Sequence, residues 1–199
     1  MKSTVRWVVA GGVVSALAIW LLAASTGSAA DDDEAAREGV LKVADLIQKK
    51  DMDTAKKQAQ TIAQKINDAE PIMHVMDPRE DGGLGVGAKP GAIKPDGIEK
   101  KLLEIDKTPL KQQQVAAEGD ALEEMAYRIA AVATMAQHAC PVPAKQGNKD
   151  PKDWKTWTGD MQKGALELAD AARGKKAADI NKAVKNLNNT CATCHAVFK

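Results

Sequence analysis

The sequence predicts an all-α protein built as a helical bundle. Apolar residues recur at steps of three and four along most of the chain, which is the spacing of one helix face. No segment alternates apolar and polar residues as a half-buried strand does, and Gly and Pro separate the helical segments. A chain of 199 residues is long enough to form one domain with a hydrophobic core.

Residues 1–30 have the composition of a signal peptide. Two basic residues precede a nearly continuous apolar run at 8–24, and small residues at 28–30 provide a cleavage site. We predict cleavage there, although the apolar run is also long enough for an uncleaved membrane anchor. In both cases the helical domain, residues 31–199, is expected in the periplasm.

Two helices are predicted to form a hairpin at the start of the domain. The first covers 34–49, and the second follows Asp51 or Asp53, either of which can cap it. Pro71 is expected to end this region. The apolar faces of the two helices consist of Val40, Val43, Ile47, Ala55, Ala59, Ile62 and Ile66.

Residues 77–97 are rich in Gly and Pro and predict a long loop inserted between helices. They lack the Lys-Ser/Thr ending of a phosphate-binding loop, and no strand precedes them. Asp96 and Glu99 have the spacing of a capping box, which predicts a short helix through Ile105 that ends before Pro109.

Three further helices complete the expected bundle. The first is predicted at Gln112–Ala139, and the second begins with Asp150 as its cap and Pro151 as its first residue. Along the last helix the apolar positions alternate by four and three residues. This register puts Cys191 and Cys194 on the buried face.

The last helix contains Cys191-Ala192-Thr193-Cys194-His195, a C-x-x-C-H sequence. Residues three and four apart share a helix face, so both thiols and the imidazole point the same way. The pattern is typical of c-type haem attachment, and we predict one covalent haem c held by the two cysteines. Three other interpretations compete with it: a zinc site completed by Cys140, a redox dithiol, and a structural disulfide between Cys191 and Cys194, which would strain a helix.

The motif continues to Phe198, and the preceding helix contains two further segments of interest, Trp154-Lys155-Thr156-Trp157 and Leu166-Glu167-Leu168-Ala169. In these residues the C-terminal part of the chain resembles the class II cytochromes c, the cytochrome c prime family. The resemblance covers residues from about 120 to 199 and implies a four-helix bundle. It implies thioether bonds at Cys191 and Cys194, with His195 as the proximal iron ligand. Members of this family carry electrons or, in some cases, bind small gases.

The ligand on the other side of the iron decides between those functions. Low-spin members of the family place a Met in the first half of the first helix, whereas residues 34–47 of this chain contain neither Met nor His. The segment Pro71–Met76 offers two methionines and a histidine. We predict His74 or Met76 as the sixth ligand, ahead of His138.

The bundle topology predicts which other side chains surround the haem. The chain has few aromatic residues outside the signal peptide, so a buried porphyrin would add flat apolar bulk to an Ala-rich core. The end of the last helix should lie beside the start of the helix that precedes it. Trp154 and Trp157 are therefore expected to form a wall of the haem site, with Met135 and His138 near it.

The charge pattern and the resemblance together suggest partners. Basic and acidic residues nearly balance, at 28 and 27, and no basic stripe appears, so we expect no nucleic-acid partner. We expect redox partner proteins in the periplasm, and membrane association only if the N-terminal segment is retained. The resemblance also implies a homodimer.

The sequence offers no clear set of acid–base groups for a catalytic haem, so we expect no enzyme. We expect an electron carrier. The alternative is a five-coordinate haem protein that binds NO or CO.

Overall fold

The computed structural model describes residues 29–198, and in this range it is helical with no β-strand, which confirms the predicted fold class. The predicted signal peptide lies outside the described residues, except for its last two alanines, which begin the first helix. Within the described range, no helix is both long and apolar enough to cross a membrane. The helices are α1 (Ala29–Gln48), α2 (Met52–Ile66), α3 (Glu70–His74), α4 (Ile98–Lys107), α5 (Gln112–Ala136), α6 (Pro151–Arg173) and α7 (Ala177–Phe198).

Helix α5 is the centre of the bundle. Every residue from Met125 to Ala136 is buried, because α1 and α2 pack on one side of this helix and α6 packs on another. Helix α7 packs against α6 and also against the shorter α4. Small residues permit close contacts, and a Cβ added to Gly39 would lie 2.8 Å from Cγ2 of Ile62.

Several helix ends lie where the sequence predicts them. Asp51 caps α2 by accepting a hydrogen bond from the Thr54 amide at 3.2 Å, and Lys50 turns the hairpin with a φ of 63°. Asp150 caps α6 by accepting from the Lys152 amide at 2.9 Å, with Pro151 in the first turn.

Other boundaries differ from the prediction. Pro71 does not end the hairpin region but lies in the first turn of α3, where its missing N–H costs nothing. The capping box at Asp96 and Glu99 is wrong, because Gly97 precedes α4 and the Asp96 carboxylate pairs with Arg79. Helix α5 ends at Ala136 rather than Ala139, since the amides of residues 138 and 139 bond three residues back.

The Gly-rich loop 77–97 is an ordered part of the domain. It contains a 3₁₀ turn at Arg79–Asp81, and Val86 is fully buried. Side chains from the bundle hold its backbone. Arg37 of α1 donates to the Gly82 carbonyl at 2.9 Å, and Arg128 of α5 donates to the Gly85 carbonyl at 3.1 Å.

Candidate functional site

A cavity of about 770 Å³ opens beside the C-terminal half of α7. Its size falls in the range of about 300–1,000 Å³ that is usual for ligand and cofactor pockets. One side, the α6–α7 wall, consists of Trp154, Trp157, Thr158, Met161, Asn188, Thr190, Cys191, Ala192, Cys194, His195 and Phe198. The other side, the α3–α4 wall, consists of Asp68, Ala69, Glu70, Met73, His74, Met76, Asp77, Glu99, Leu102 and Leu103. Pro141, in the link between α5 and α6, also lines the cavity.

The C-x-x-C-H residues lie together on the α6–α7 wall. Cys191, Cys194 and His195 all line the cavity, because steps of three and four bring them to one face of α7. The two cysteines are half-buried, whereas His195 is exposed. This helix register is the one that the sequence predicts.

Both thiols are in an environment that favours the neutral form. Burial raises the pKa of Cys191 to about 11, and the nearby Glu99 carboxylate adds to this effect. Burial also raises the pKa of Cys194 to about 11. An activated redox dithiol has thiols of lowered pKa, so the shifts oppose that interpretation.

The zinc interpretation is also weakened. Across residues 29–198, no group of three or more His, Cys, Asp or Glu side chains is placed to hold a metal ion. Cys140 is a free, half-buried thiol that does not line the cavity. The structure therefore does not bring Cys140 to the motif as a fourth ligand.

Two tryptophans and a phenylalanine form the apolar part of the α6–α7 wall. The Trp154 ring is 4 % exposed, and its Nε1 donates to the Ala136 carbonyl at the end of α5, at 2.6 Å. The Phe198 ring packs edge-on against both tryptophans, with centroid distances of 5.0 Å to Trp154 and 5.8 Å to Trp157. Trp154 and Trp157 thus lie at the cavity, as the bundle topology predicts.

The ligand candidates of the 71–76 segment lie on the opposite side. Met73, His74 and Met76 all line the α3–α4 wall. Met76 is buried and only 7 % exposed. His74 is half-exposed at the rim, with Nδ1 at 3.6 Å from an Asp33 carboxylate oxygen and Nε2 at 3.7 Å from one of Glu70.

Met135 and His138 do not line the cavity. Met135 is fully buried on the face of α5 that packs against α1, where its Cε lies 3.2 Å from the position of a Cβ at Gly39. His138 is exposed in the turn after α5, where partial burial and the Lys155 charge lower its pKa. Neither residue is therefore among the described side chains that line the candidate haem site.

Sequence reasoning missed the acidic character of the α3–α4 wall. Four carboxylates line the cavity, and no Lys or Arg is among its lining residues in the described chain. Asp68 and Asp77 flank the short helix α3, Glu70 is its first residue, and Glu99 lies in the first turn of α4. Asp68, Glu70 and Asp77 are close in sequence, but the approach of Glu99 to them depends on the path of the 77–97 loop, which no local pattern indicates.

The cavity fits a haem. It combines three aromatic rings with two thiols and an imidazole on the same wall, and thioether and imidazole donors on the facing wall. These are the groups that bind haem covalently and coordinate its iron. The described residues therefore supply an aromatic and apolar wall, a facing wall with acidic side chains, and the ligand chemistry that a c-type haem requires.

Comparisons with known proteins point to the same cofactor. Residues 99–199 match the model of the cytochrome C′ family, a range that includes α4 through α7 and therefore most of the cavity lining. Comparison with curated proteins and with solved structures gave no match. The matched range begins earlier than the resemblance from about residue 120. Because it spans just over half of the chain, the protein belongs to the cytochrome c′ family, whose members are haem-binding cytochromes.

Proposed function

We propose that this protein is a periplasmic monohaem cytochrome that carries electrons. In this proposal Cys191 and Cys194 bind one haem through thioether bonds, and His195 is the proximal iron ligand. The observation that carries the proposal is that these three side chains line one cavity, which also has an aromatic wall. A haem held there would supply a one-electron Fe(III)/Fe(II) couple.

The rest of the cavity supports electron transfer over gas binding. The α3–α4 wall carries sulfur and imidazole donors, and we place the sixth ligand there, at His74 or Met76. A six-coordinate iron keeps its geometry on reduction, which suits electron exchange. Gas binding would need an open apolar site at this position. None of the described cavity-lining residues belongs to α1, the helix that carries the distal Met in low-spin relatives.

Mass spectrometry of the exported protein tests the covalent haem. We expect the mature chain plus one haem, and we expect the colour to stay with the protein after acid–acetone extraction. Loss of the pigment on extraction would contradict the proposal. The same spectrum identifies the N-terminus, which distinguishes cleavage near residues 28–30 from a retained membrane anchor.

The absorption spectrum tests the choice between the two functions. Low-spin bands in both oxidation states, with no carbon monoxide binding after reduction, are expected for the electron carrier. High-spin bands with rapid carbon monoxide binding would support the gas-binding alternative. Periplasmic redox proteins are the expected partners, and a homodimer can be tested by sedimentation of the holoprotein.

A further inference from the structure

The segment that carries Met76 is fixed at both ends by long-range backbone hydrogen bonds. The Leu84 amide donates to the Val75 carbonyl at 3.0 Å, and the Glu99 amide donates to the Met76 carbonyl at 3.2 Å. The first bond ties this segment to the Gly-rich loop and the second ties it to the first turn of α4. Met76 is thus held by a fixed backbone at the cavity.

The loop between these anchors is closed by an ion pair. The Arg79 guanidinium pairs with the Asp96 carboxylate and also donates to the Gly87 carbonyl. The Asp96 carboxylate accepts a second bond from the Val86 amide at 3.0 Å, and the Arg79 amide donates to the Asp96 carbonyl at 3.3 Å. We call this pair and its backbone bonds the Arg79–Asp96 clamp.

Two further observations show how tightly the loop is built. Burial opposes the charge of Asp96, yet the bonds from Val86 and Arg79 outweigh it and hold the pKa of Asp96 below its ordinary value. A Cβ at Gly83 would collide with the Asp77 backbone, so only Gly permits the chain to pass there. The clamp therefore keeps residues 75 and 76 in one position relative to α4.

Met76 is better placed than its two neighbours to meet a group bound at the cysteines. Its carbonyl accepts a hydrogen bond from the amide of Glu99, and Glu99 lines the same cavity as Cys191. Both ring nitrogens of His74 face the carboxylates of Asp33 and Glu70 at the rim. Met73 is less buried than Met76.

We propose that Met76 is the sixth iron ligand, opposite His195, and that the Arg79–Asp96 clamp positions it. This inference rests on the proposed covalent haem. A thioether is a normal axial ligand that raises the reduction potential of haem iron. The Gly-rich loop thereby acquires a role, since it fixes the preceding segment that carries Met76, a ligand that α1 lacks.

The substitution Met76→Leu in the holoprotein tests the ligand, with Met73→Leu as the matched control in the same wall. Wild type and Met73→Leu should both show the weak red absorption band of thioether-ligated ferric haem. Met76→Leu should lose that band, bind carbon monoxide after reduction, and have a lower midpoint potential. Retention of the band in Met76→Leu, its absence in wild type, or its loss in Met73→Leu would overturn the assignment.

The substitution Asp96→Asn tests the positioning role, with Asp81→Asn in the exposed part of the same loop as control. We expect the high-spin fraction of Asp96→Asn to rise at least several-fold, while the Asp81→Asn spectrum stays as in wild type. An unchanged spectrum in Asp96→Asn would overturn the role of the clamp. If Asp96→Asn fails to fold, Arg79→Lys gives the same test through a weaker pair.

The mass spectrum separates these failures from failure of the proposed function. Each variant should keep one covalent haem, because none alters Cys191, Cys194 or His195. A haem-free wild type would refute the proposed function itself. A haem-bearing wild type without thioether ligation would refute only the assignment of Met76.

Discussion

The two walls of the cavity are built by different means. The α6–α7 wall consists of two long helices whose side chains reach the cavity by regular spacing, with Cys191, Cys194 and His195 on one face. The α3–α4 wall consists of residues 68–77, which include the five-residue helix α3, and of the start of the ten-residue helix α4; the long loop that connects them lines the cavity only at Asp77. Its shape depends on contacts between residues far apart in the chain.

This difference in construction coincides with a difference in similarity to the family. The α6–α7 wall lies inside the family match at 99–199, whereas residues 68–77 of the α3–α4 wall lie before it. A helical register tolerates few changes, because moving one residue by a single position turns its side chain away from the cavity. A wall made of short, irregular segments can change its backbone conformation, provided that new ion pairs and hydrogen bonds hold the changed backbone in place.

The largest expected effect comes from breaking the α6–α7 wall at its cysteines. The double substitution Cys191→Ala and Cys194→Ala should abolish covalent haem, so that acid–acetone removes all pigment from the protein. The matched control is Cys140→Ala, since this third free thiol does not line the cavity. Mass spectrometry should find the control fully loaded. Haem that stays covalently bound in the double variant would show that attachment occurs elsewhere.

Replacing an aromatic residue of the same wall should reduce stability. Trp154 is 4 % exposed and donates to the Ala136 carbonyl, so Trp154→Ala leaves a large hole and removes one of the hydrogen bonds to that carbonyl, which also accepts from the Ala139 amide. We expect the free energy of unfolding to fall by about 3–5 kcal/mol, measured by urea denaturation of the holoprotein. Trp157→Ala should cost less because that ring is half-buried. Equal losses would mean that the two rings contribute alike.

The elements that the sequence predicts correctly are those with local signals. Asp51 and Asp150 cap their helices because each is a short acceptor directly before an apolar periodic segment. The steps of four and three along α7 likewise place the motif on the cavity side. In these cases the residues that determine the structure lie within a few positions of one another.

The α3–α4 wall shows where local reasoning fails. Asp96 has the spacing of a capping residue, but its carboxylate pairs with Arg79, which lies 17 residues earlier. Pairing with Arg79 is more favourable for Asp96 than capping α4, because the carboxylate then forms both an ion pair and a hydrogen bond to a backbone amide at a partly buried site. Glu99 is consequently free to line the cavity. Neither result can be derived from spacing alone.

A moderate effect on stability is expected when the clamp of the α3–α4 wall is released by acid. Since the pKa of Asp96 lies below its ordinary value of 3.8, the folded state favours the charged form. The stabilisation is complete above that ordinary value and is lost as the pH falls through the lowered pKa. Asp96→Asn should lose about 1–3 kcal/mol at neutral pH, measured by urea denaturation. Its stability should then fall less steeply with acid than that of wild type, and parallel curves would contradict this assignment.

The smallest expected effect concerns the charge that the two walls share. Glu99 belongs to the α3–α4 wall, and its carboxylate acts on Cys191 of the α6–α7 wall. A negative charge near the iron favours the oxidised form, so Glu99→Gln should raise the midpoint potential. A change of about 0.5–1 kcal/mol for a partly exposed charge corresponds to about 20–40 mV in a one-electron couple.

Redox titration of the holoprotein measures this shift, and Glu38→Gln is the matched control. Glu38 lies on the exposed side of α1, pairs with Lys42 and does not line the cavity. Its replacement should leave the potential unchanged at moderate salt, because exposed charges beyond about 10 Å are screened. Equal rises in the two variants would mean that Glu99 acts only through the net charge of the protein, and a fall in potential for Glu99→Gln would contradict the prediction. A rise confined to Glu99→Gln would instead show that the irregular wall tunes a cofactor held by the regular one.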